Sequence, residues 1–306
     1  MAGNFDFCTT FIDVQDPNGV CPNPSGLISG KIQNEFQEDI EEVTVILSDD
    51  NGMMTAPVIT GPTGEFEFDE SYGDYDVTPE KDINYLNGVT TYDLVLISKH
   101  ILGLELLDSP YKMIAADANN SKSITTLDLV EIRKLILFSI PEFQYNSSWR
   151  FIPKDYEFPN PLNPWQEYFP EIMNFNNLPE DEMNAGFYGI KIGDLNGSVN
   201  PSNLLGADDR NFAGEMAFTI QNQQLIAGKE YSIGFTSAEM EQIAGYQFTL
   251  NFDSSYLEFM DLEETKFTSK ENFGFSLLND GAITASWNKK EEEELSVNDV
   301  VFSLKF

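Results

Sequence analysis

Two runs of oxygen-bearing side chains, 35 residues apart, are the part of this sequence best suited to chemistry. In the second run the donors fall at positions 1, 3, 5, 7, 9 and 12 of one loop: Asp117, Asn119, Ser121, Ser123 (main-chain carbonyl), Thr125 and Asp128. Calcium takes 6–8 hard oxygen ligands, and alternating donors closed by a twelfth-position carboxylate are typical of a calcium loop. We therefore predict a calcium site here. The alternative is an ordinary turn followed by a helix that Asp128 caps.

The first run is an incomplete copy of the second. Counting back from Asp93 gives these candidate donors at positions 9, 7, 3 and 1: Thr90, Gly88, Asn84 and Asp82. Position 5 is Leu86, which has no ligand oxygen. The segment Asp194-Leu-Asn196-Gly, about a hundred residues later, begins as such a loop should. We predict that Asp194 and Asn196 complete or replace the first half of this EF-hand-type loop; the alternative is a type I′ turn.

Each run leads into an amphipathic helix, and the two helices must position the loops. The apolar residues recur at helical spacing: Leu94, Ile97, Ile101, Leu129, Ile132 and Ile136. This face needs a cover, and we expect either the aromatic stretch from Phe143 to Pro179 or a neighbouring β-sandwich to provide it. The many prolines of that stretch predict a wrapping loop without regular elements.

Alternating apolar and polar residues predict β-sandwiches on both sides of the helices. The candidate strands before the helices are 28–32, 42–47, 64–68 and 75–78. Those after them are 216–220, 231–235, 246–252, 256–259, 282–287 and 300–304. The charged run Lys289 to Leu295 is predicted to be a solvated loop. The fold class is thus multidomain and mainly β, with a small α domain.

Composition excludes several classes of function. The 306 residues carry a formal net charge of −34, which disfavours nucleic acid and anionic membranes as partners. No stretch approaches the ~20 apolar residues of a membrane helix. The single histidine, His100, lies on the apolar-periodic stretch of a helix, so we expect a packed residue and no enzyme activity. Cys8 and Cys21 form a disulfide with each other, or one of them has its partner in an upstream domain.

The duplicated segment that begins Asn87-Gly-Val-Thr-Thr-Tyr-Asp resembles the calcium-binding repeat of dockerin domains. Residues 25–79 resemble carboxypeptidase-regulatory-like (Cna-B-like) sandwiches, and 204–306 are similar to cohesin-like sandwiches, as in large secreted surface proteins of Bacteroidetes. The expected division is therefore 1–24 as the end of a preceding domain or a linker, 25–79, 80–203 with an insertion at about 138–192, and 204–306.

The resemblance implies a non-enzymatic, calcium-stabilised module of a secreted or cell-surface protein, acting in adhesion, scaffolding or extracellular assembly. Within it, the dockerin-like domain is expected to pack against a β-sandwich of the same chain. The alternative is a docking module that recruits an enzyme or binds a polysaccharide through a cohesin-like partner. Self-assembly stays open as well.

Overall fold

The computed structural model describes residues 25–49, 51–71, 73–176, 181–202, 216–237 and 241–306. Cys8, Cys21 and the leading segment 1–24 lie outside this range. The helices are α1 (Thr91–Ile101), α2 (Pro110–Ala116) and α3 (Thr126–Ile136). The strands are β1 (Ser25–Gln33), β2 (Thr44–Asp49), β3 (Val58–Ile59), β4 (Glu65–Ser71), β5 (Tyr75–Glu80), β6 (Trp149–Pro153), β7 (Met173–Phe175), β8 (Phe187–Lys191), β9 (Phe218–Thr219), β10 (Ser232–Ser237), β11 (Glu241–Asn251), β12 (Asp261–Glu263), β13 (Phe273–Gly274), β14 (Ala282–Leu295) and β15 (Val300–Lys305).

The first sandwich is completed by strands from the aromatic stretch. Its sheets have the strand orders β4-β1-β8-β6 and β3-β2-β5-β7. β6, β7 and β8 come from residues 149–191, so the prediction that 143–179 lacks regular elements is wrong. The prolines of that stretch fall mainly between the strands, while Pro153 ends β6. The sequence division between 25–79 and 80–203 therefore does not separate two independent sheets.

The sheet edge formed by β6 and β8 is covered on both faces. Trp149 and Phe151 point into the core of the first sandwich, whereas Ile152 points into the core around the helices. Phe187 and Ile190 divide in the same way on β8. Successive side chains of a strand point to opposite faces, so one pair of strands serves two cores.

The helices begin at matching sequence signals. Thr90 and Asp93 form a capping box at α1, and Thr125 and Asp128 form one at α3. Such a box satisfies helix N–H groups that have no partner within the helix. The apolar helix face is covered by the aromatic stretch, which supplies Phe143, Phe158, Trp165 and Phe169 to the same core. No helix among the described residues has the length and apolar character needed to cross a membrane.

The second sandwich has the sheets β12-β15-β10-β9 and β11-β14-β13. β14 continues through the charged run to Leu295, which pairs with Glu241 of β11, so the prediction of a solvated loop there is wrong. Cross-strand main-chain pairing extends the strand although the run is highly charged. The expected strand 256–259 is absent from the described residues; the short strand β12 lies just after it.

The second sandwich contacts the helices through polar groups. The N–H of Thr91 donates to Oε1 of Gln247 (2.7 Å), and its hydroxyl lies 2.7 Å from that of Ser286. The hydroxyl of Thr284 donates to the carbonyl of Leu137 just after α3 (2.9 Å). The helices and the second sandwich therefore pack against each other within one chain.

Candidate functional site

The continuous loop from Asp117 to Asp128 connects the end of α2 to the first turn of α3. Asp117 turns its carboxylate back into the loop, where Oδ1 accepts from the N–H of Ser121 and Oδ2 from that of Lys122, both at 2.8 Å. Asn119 Oδ1 also accepts from Ser121 N–H (3.0 Å). The left-handed backbone of Asn120 (φ 55°) turns the chain sharply at position 4. The oxygens at positions 1 and 3 thus face the inside of the loop.

Asp128 closes the continuous loop from the opposite side. Its Oδ2 accepts from the N–H and hydroxyl of Thr125 (2.8 and 3.2 Å). Its Oδ1 accepts from the N–H of Asn119 (3.2 Å). Both Asp117 and Asp128 are buried. Asp128 therefore caps α3 and also turns a carboxylate oxygen toward the loop, while calcium binding there stays a prediction.

A second loop of the same design is assembled from two distant segments, 194–199 and 88–93; we call it the split loop. Asp194 occupies its first position: Oδ1 accepts from Ser198 N–H (3.1 Å), and Oδ2 accepts from Val199 N–H (2.8 Å). Asn196 Oδ1 also accepts from Ser198 N–H (3.0 Å). Gly197 at position 4 has φ 71°, in the same region as Asn120. These bonds repeat those of the continuous loop, position for position.

The two segments of the split loop are joined side by side. The hydroxyl of Ser198 donates to the carbonyl of Gly88 (2.8 Å), as that of Ser121 donates to the carbonyl of Ser123 (3.1 Å) in the continuous loop. Each bond joins position 5 to position 7. Asn87 and Asn200 add a reciprocal pair between side-chain amide and main chain (2.8 and 3.2 Å).

Asp93 closes the split loop as Asp128 closes the continuous one. Its Oδ2 accepts from the N–H and hydroxyl of Thr90 (2.8 and 2.9 Å). Its Oδ1 accepts from the N–H of Leu195 (2.8 Å). The structure thus brings together the predicted residues Gly88, Asp93, Asp194 and Asn196.

Asp82 and Asn84 are placed differently. Asp82 Oδ1 accepts from the N–H of Ser148 (2.7 Å) and from the hydroxyl of Tyr85 (2.5 Å). Asn84 has a left-handed backbone (φ 54°), and its carbonyl accepts from Asn87 N–H in a turn. Asp194 and Asn196 occupy positions 1 and 3 of the split loop. Asp82 and Asn84, which were predicted for these positions, instead anchor the segment that leads into the loop.

Burial sets the electrostatics of the split loop. Desolvation, reinforced by the charge of Asp194, raises the pKa of Asp93 to about 8. Desolvation also raises the pKa of Asp194, against the lowering effect of its backbone donors and Lys191. Lys191 is buried, with its pKa lowered to about 7 by desolvation, and its Nζ donates to the carbonyl of Tyr85 (2.7 Å). Two buried carboxylates thus face each other beside one amine.

Burial likewise raises the pKa of Asp117 and Asp128, with hydrogen-bond donors acting in the opposite direction. Each loop offers two carboxylates together with amide, hydroxyl and main-chain carbonyl oxygens. No cluster of three or more His, Cys, Asp or Glu side chains suited to a metal occurs in the described ranges. All six donors of each loop are oxygens, two from carboxylates and four neutral, which suits a hard cation such as calcium.

Two residues were not predicted from the sequence, Ser198 within the split loop and Lys191 beside it. Ser198 is the position-5 donor, and the pattern Asp-x-Asn-x-Ser shared by 194–198 and 117–121 could have identified it. Lys191 has no sequence signal, because its burial follows from the packing of β8. His100 lies in α1, and its Nδ1 accepts from the N–H of Leu107 (3.1 Å).

Among solved structures, the chain is similar to the crystal structure of a DUF3823 family protein from Parabacteroides merdae. The sequences are 11% identical, the alignment covers 93% of this chain and 80% of that chain, and the TM-score is 0.23. No protein-family model and no curated protein matches the chain.

Proposed function

We propose that each of the two loops binds one calcium ion and that the protein is a non-enzymatic, calcium-stabilised module of a secreted or cell-surface protein, with a role in adhesion, scaffolding or extracellular assembly. One observation carries the proposal: two segments separated by about a hundred residues reproduce the hydrogen bonds of the continuous loop at positions 1, 3, 5 and 7. An arrangement needed only to cap a helix has no reason to recruit Asp194, Asn196 and Ser198.

The residues that would hold each ion follow from the loop positions. In the continuous loop they are Asp117, Asn119, Ser121, the carbonyl of Ser123, Thr125 and Asp128. In the split loop they are Asp194, Asn196, Ser198, the carbonyl of Gly88, Thr90 and Asp93. A bound cation would neutralise buried carboxylates that otherwise repel each other, and binding to the folded state alone would stabilise the fold.

Calcium in the split loop would act as a joint. Residues 194–199 follow β8, which belongs to the first sandwich, whereas residues 88–93 lead into α1. Thr91, at the start of α1, contacts the second sandwich. A cation between Asp93 and Asp194 would therefore fix α1 relative to the first sandwich and with it the polar contact to the second. The dockerin-like repeat would be used inside one chain.

A docking module is the second candidate, and one observation favours it. The outer side of α3 exposes Leu127 (64%) and Val130 (43%), although the apolar face of the helix pair is buried. A cohesin-like partner would have to use this outer side. Burial of the apolar helix face under the aromatic stretch, together with the contacts of α1 with the second sandwich, weighs toward the internal role.

Calcium stoichiometry tests the proposal. Native mass spectrometry and calorimetric titration of the chelated full chain should show two ions per chain. Asp194→Ala and Asp117→Ala should each leave one, and the double variant none. Binding of no calcium, or an unchanged titration in both variants, contradicts the proposal. If Asp194→Ala alone leaves the titration unchanged, the continuous loop remains a site and the split loop does not.

A further inference from the structure

An open polar groove lies beside the continuous loop and takes no part in the calcium proposal. Its volume is about 520 Å³, within the range of ~300–1,000 Å³ usual for ligand sites. The groove is lined by Asp82, Tyr85, Asn120, Glu142, Phe143, Gln144, Tyr145, Asn146, Ser147, Arg150 and Glu171. Five parts of the chain meet in it: the approach to α1, the continuous loop, the segment between α3 and β6, β6 itself, and the segment before β7.

Arg150 lines the groove and is held in place by several contacts. Its guanidinium makes a bidentate pair with Glu171 (2.7 and 2.9 Å) and donates to Asn120 Oδ1 (3.2 Å). The same guanidinium lies 5.2 Å from the ring centre of Phe169. Asn146, another lining residue, donates to the carbonyl of Asp117 (2.9 Å). Planar polar groups are therefore presented in fixed orientations before any ligand arrives.

Three other lining residues offer unused binding groups. The side chains of Glu142, Gln144 and Tyr145 have no hydrogen-bond partner within the described part of the chain, and all three are exposed. Tyr145 is 66% exposed, so its ring gives the groove an aromatic face. A carboxylate and an amide next to an accessible ring supply acceptors, donors and an apolar plane at one place.

Charge decides between classes of ligand. The lining carries three carboxylates (Asp82, Glu142 and Glu171) against one guanidinium (Arg150), a net of 1 − 3 = −2, and the whole chain carries −34. Anionic ligands are repelled. An apolar ligand would leave the polar groups desolvated without partners.

A neutral pyranose fits both conditions, because its hydroxyl rim bonds planar polar groups while its C–H face stacks on an aromatic ring. The groove is open, so a sugar in the interior of a chain can enter as well as a chain end. We propose that this groove binds a neutral oligosaccharide, with Tyr145 as the stacking platform and Glu142, Gln144 and the fixed Arg150–Glu171 pair as hydroxyl partners. The oligosaccharide proposal does not depend on the calcium proposal.

The experiment uses the full chain in calcium-containing buffer and an array of neutral oligosaccharides covering common α- and β-linked hexoses and pentoses. Calorimetry and amide NMR shifts then follow the best binder. We expect binding that shifts the amides of residues 142–147 and that weakens at least about tenfold in Tyr145→Ala. Tyr168→Ala is the matched control, because Tyr168 is 86% exposed and lies outside the groove lining.

Three outcomes would overturn the inference: no neutral oligosaccharide binds, the affinity in Tyr145→Ala equals that of the parent, or an acidic oligosaccharide or a peptide binds in preference. Loss of calcium binding in Asp117→Ala or Asp194→Ala is measured separately, so failure of the groove and failure of the calcium sites give different results.

Discussion

The N–H of Leu195 donates a 2.8 Å hydrogen bond to Oδ1 of Asp93, which lies 102 residues earlier in the chain. The other oxygen of the same carboxylate caps α1 through Thr90. One buried side chain thus starts a helix and closes a loop whose first half is remote in sequence. The local capping signal and the long-range contact depend on each other, because both need the same orientation of Asp93.

Ser198→Ala should loosen the split loop more than Ser121→Ala loosens the continuous one. Each change removes a hydroxyl that bonds the position-7 carbonyl, a loss of about 1 kcal/mol for a typical hydrogen bond. The halves of the continuous loop stay linked by the chain, whereas those of the split loop do not. Hydrogen exchange at residues 88–93 should increase in Ser198→Ala. Equal increases at the corresponding residues of both loops would contradict this expectation.

Chelation should lower the melting temperature by several degrees and make residues 80–140 susceptible to proteolysis. A ligand at 100 times its Kd stabilises the folded state by about 2.7 kcal/mol, and the loss of two such ligands is readily visible in a melt. Scanning calorimetry with and without chelator, combined with mass spectrometry of tryptic fragments, measures both effects. Restoring excess calcium is the control and should reverse them. Identical melts would refute a structural role for calcium.

Thr91→Val should weaken the contact between the helices and the second sandwich. The substitution removes the hydroxyl partner of Ser286, which is fully buried, and an unsatisfied buried hydroxyl costs about 1–3 kcal/mol. The change should appear as a lower unfolding midpoint and faster hydrogen exchange across β11 and β14.

Thr126→Val is the matched control for this variant. Thr126 begins α3 as Thr91 begins α1, so the effect on helix propensity cancels, but its side chain is exposed. If the two variants lose equal stability, the Thr91 contact is not what holds the sandwich.

Gly274→Ala should destabilise the same interface through steric overlap. A Cβ at Gly274 would collide with the carbonyl of Leu137 and the hydroxyl of Thr284, which are bonded to each other. β13 would have to move away from the end of α3, at a cost of about 1–3 kcal/mol for overpacking. Gly234→Ala in β10 is the control, since its nearest contacts would lie at 3.6 and 3.7 Å. Denaturant unfolding of both variants measures the difference in stability. Equal unfolding midpoints for Gly274→Ala and Gly234→Ala would contradict the steric overlap at Gly274.

Local patterns predicted the elements near the candidate site well. The Thr-x-x-Asp spacing at Thr90 and Thr125 fixes where α1 and α3 begin, because a capping box involves residues only three apart. The alternation of apolar residues located most of the strands of both sandwiches. Short-range spacing failed at Lys289 to Leu295, where a charged run that favours solvent is held in β14 by pairing with β11. Cross-strand pairing is not visible in the charge pattern.

The sequence by itself determined the composition of each half-loop, since the alternation of Asp117, Asn119 and Ser121, and of Asp194, Asn196 and Ser198, is a property of adjacent residues. Only the tertiary structure decided that the second triplet faces Asp93 and that Asp82 does not. Closing a segment of about a hundred residues costs entropy that no local signal can offset. That cost is offset by the packing of β6 and β8 between two cores and of α2 against β8, which brings Asp194 to the start of α1.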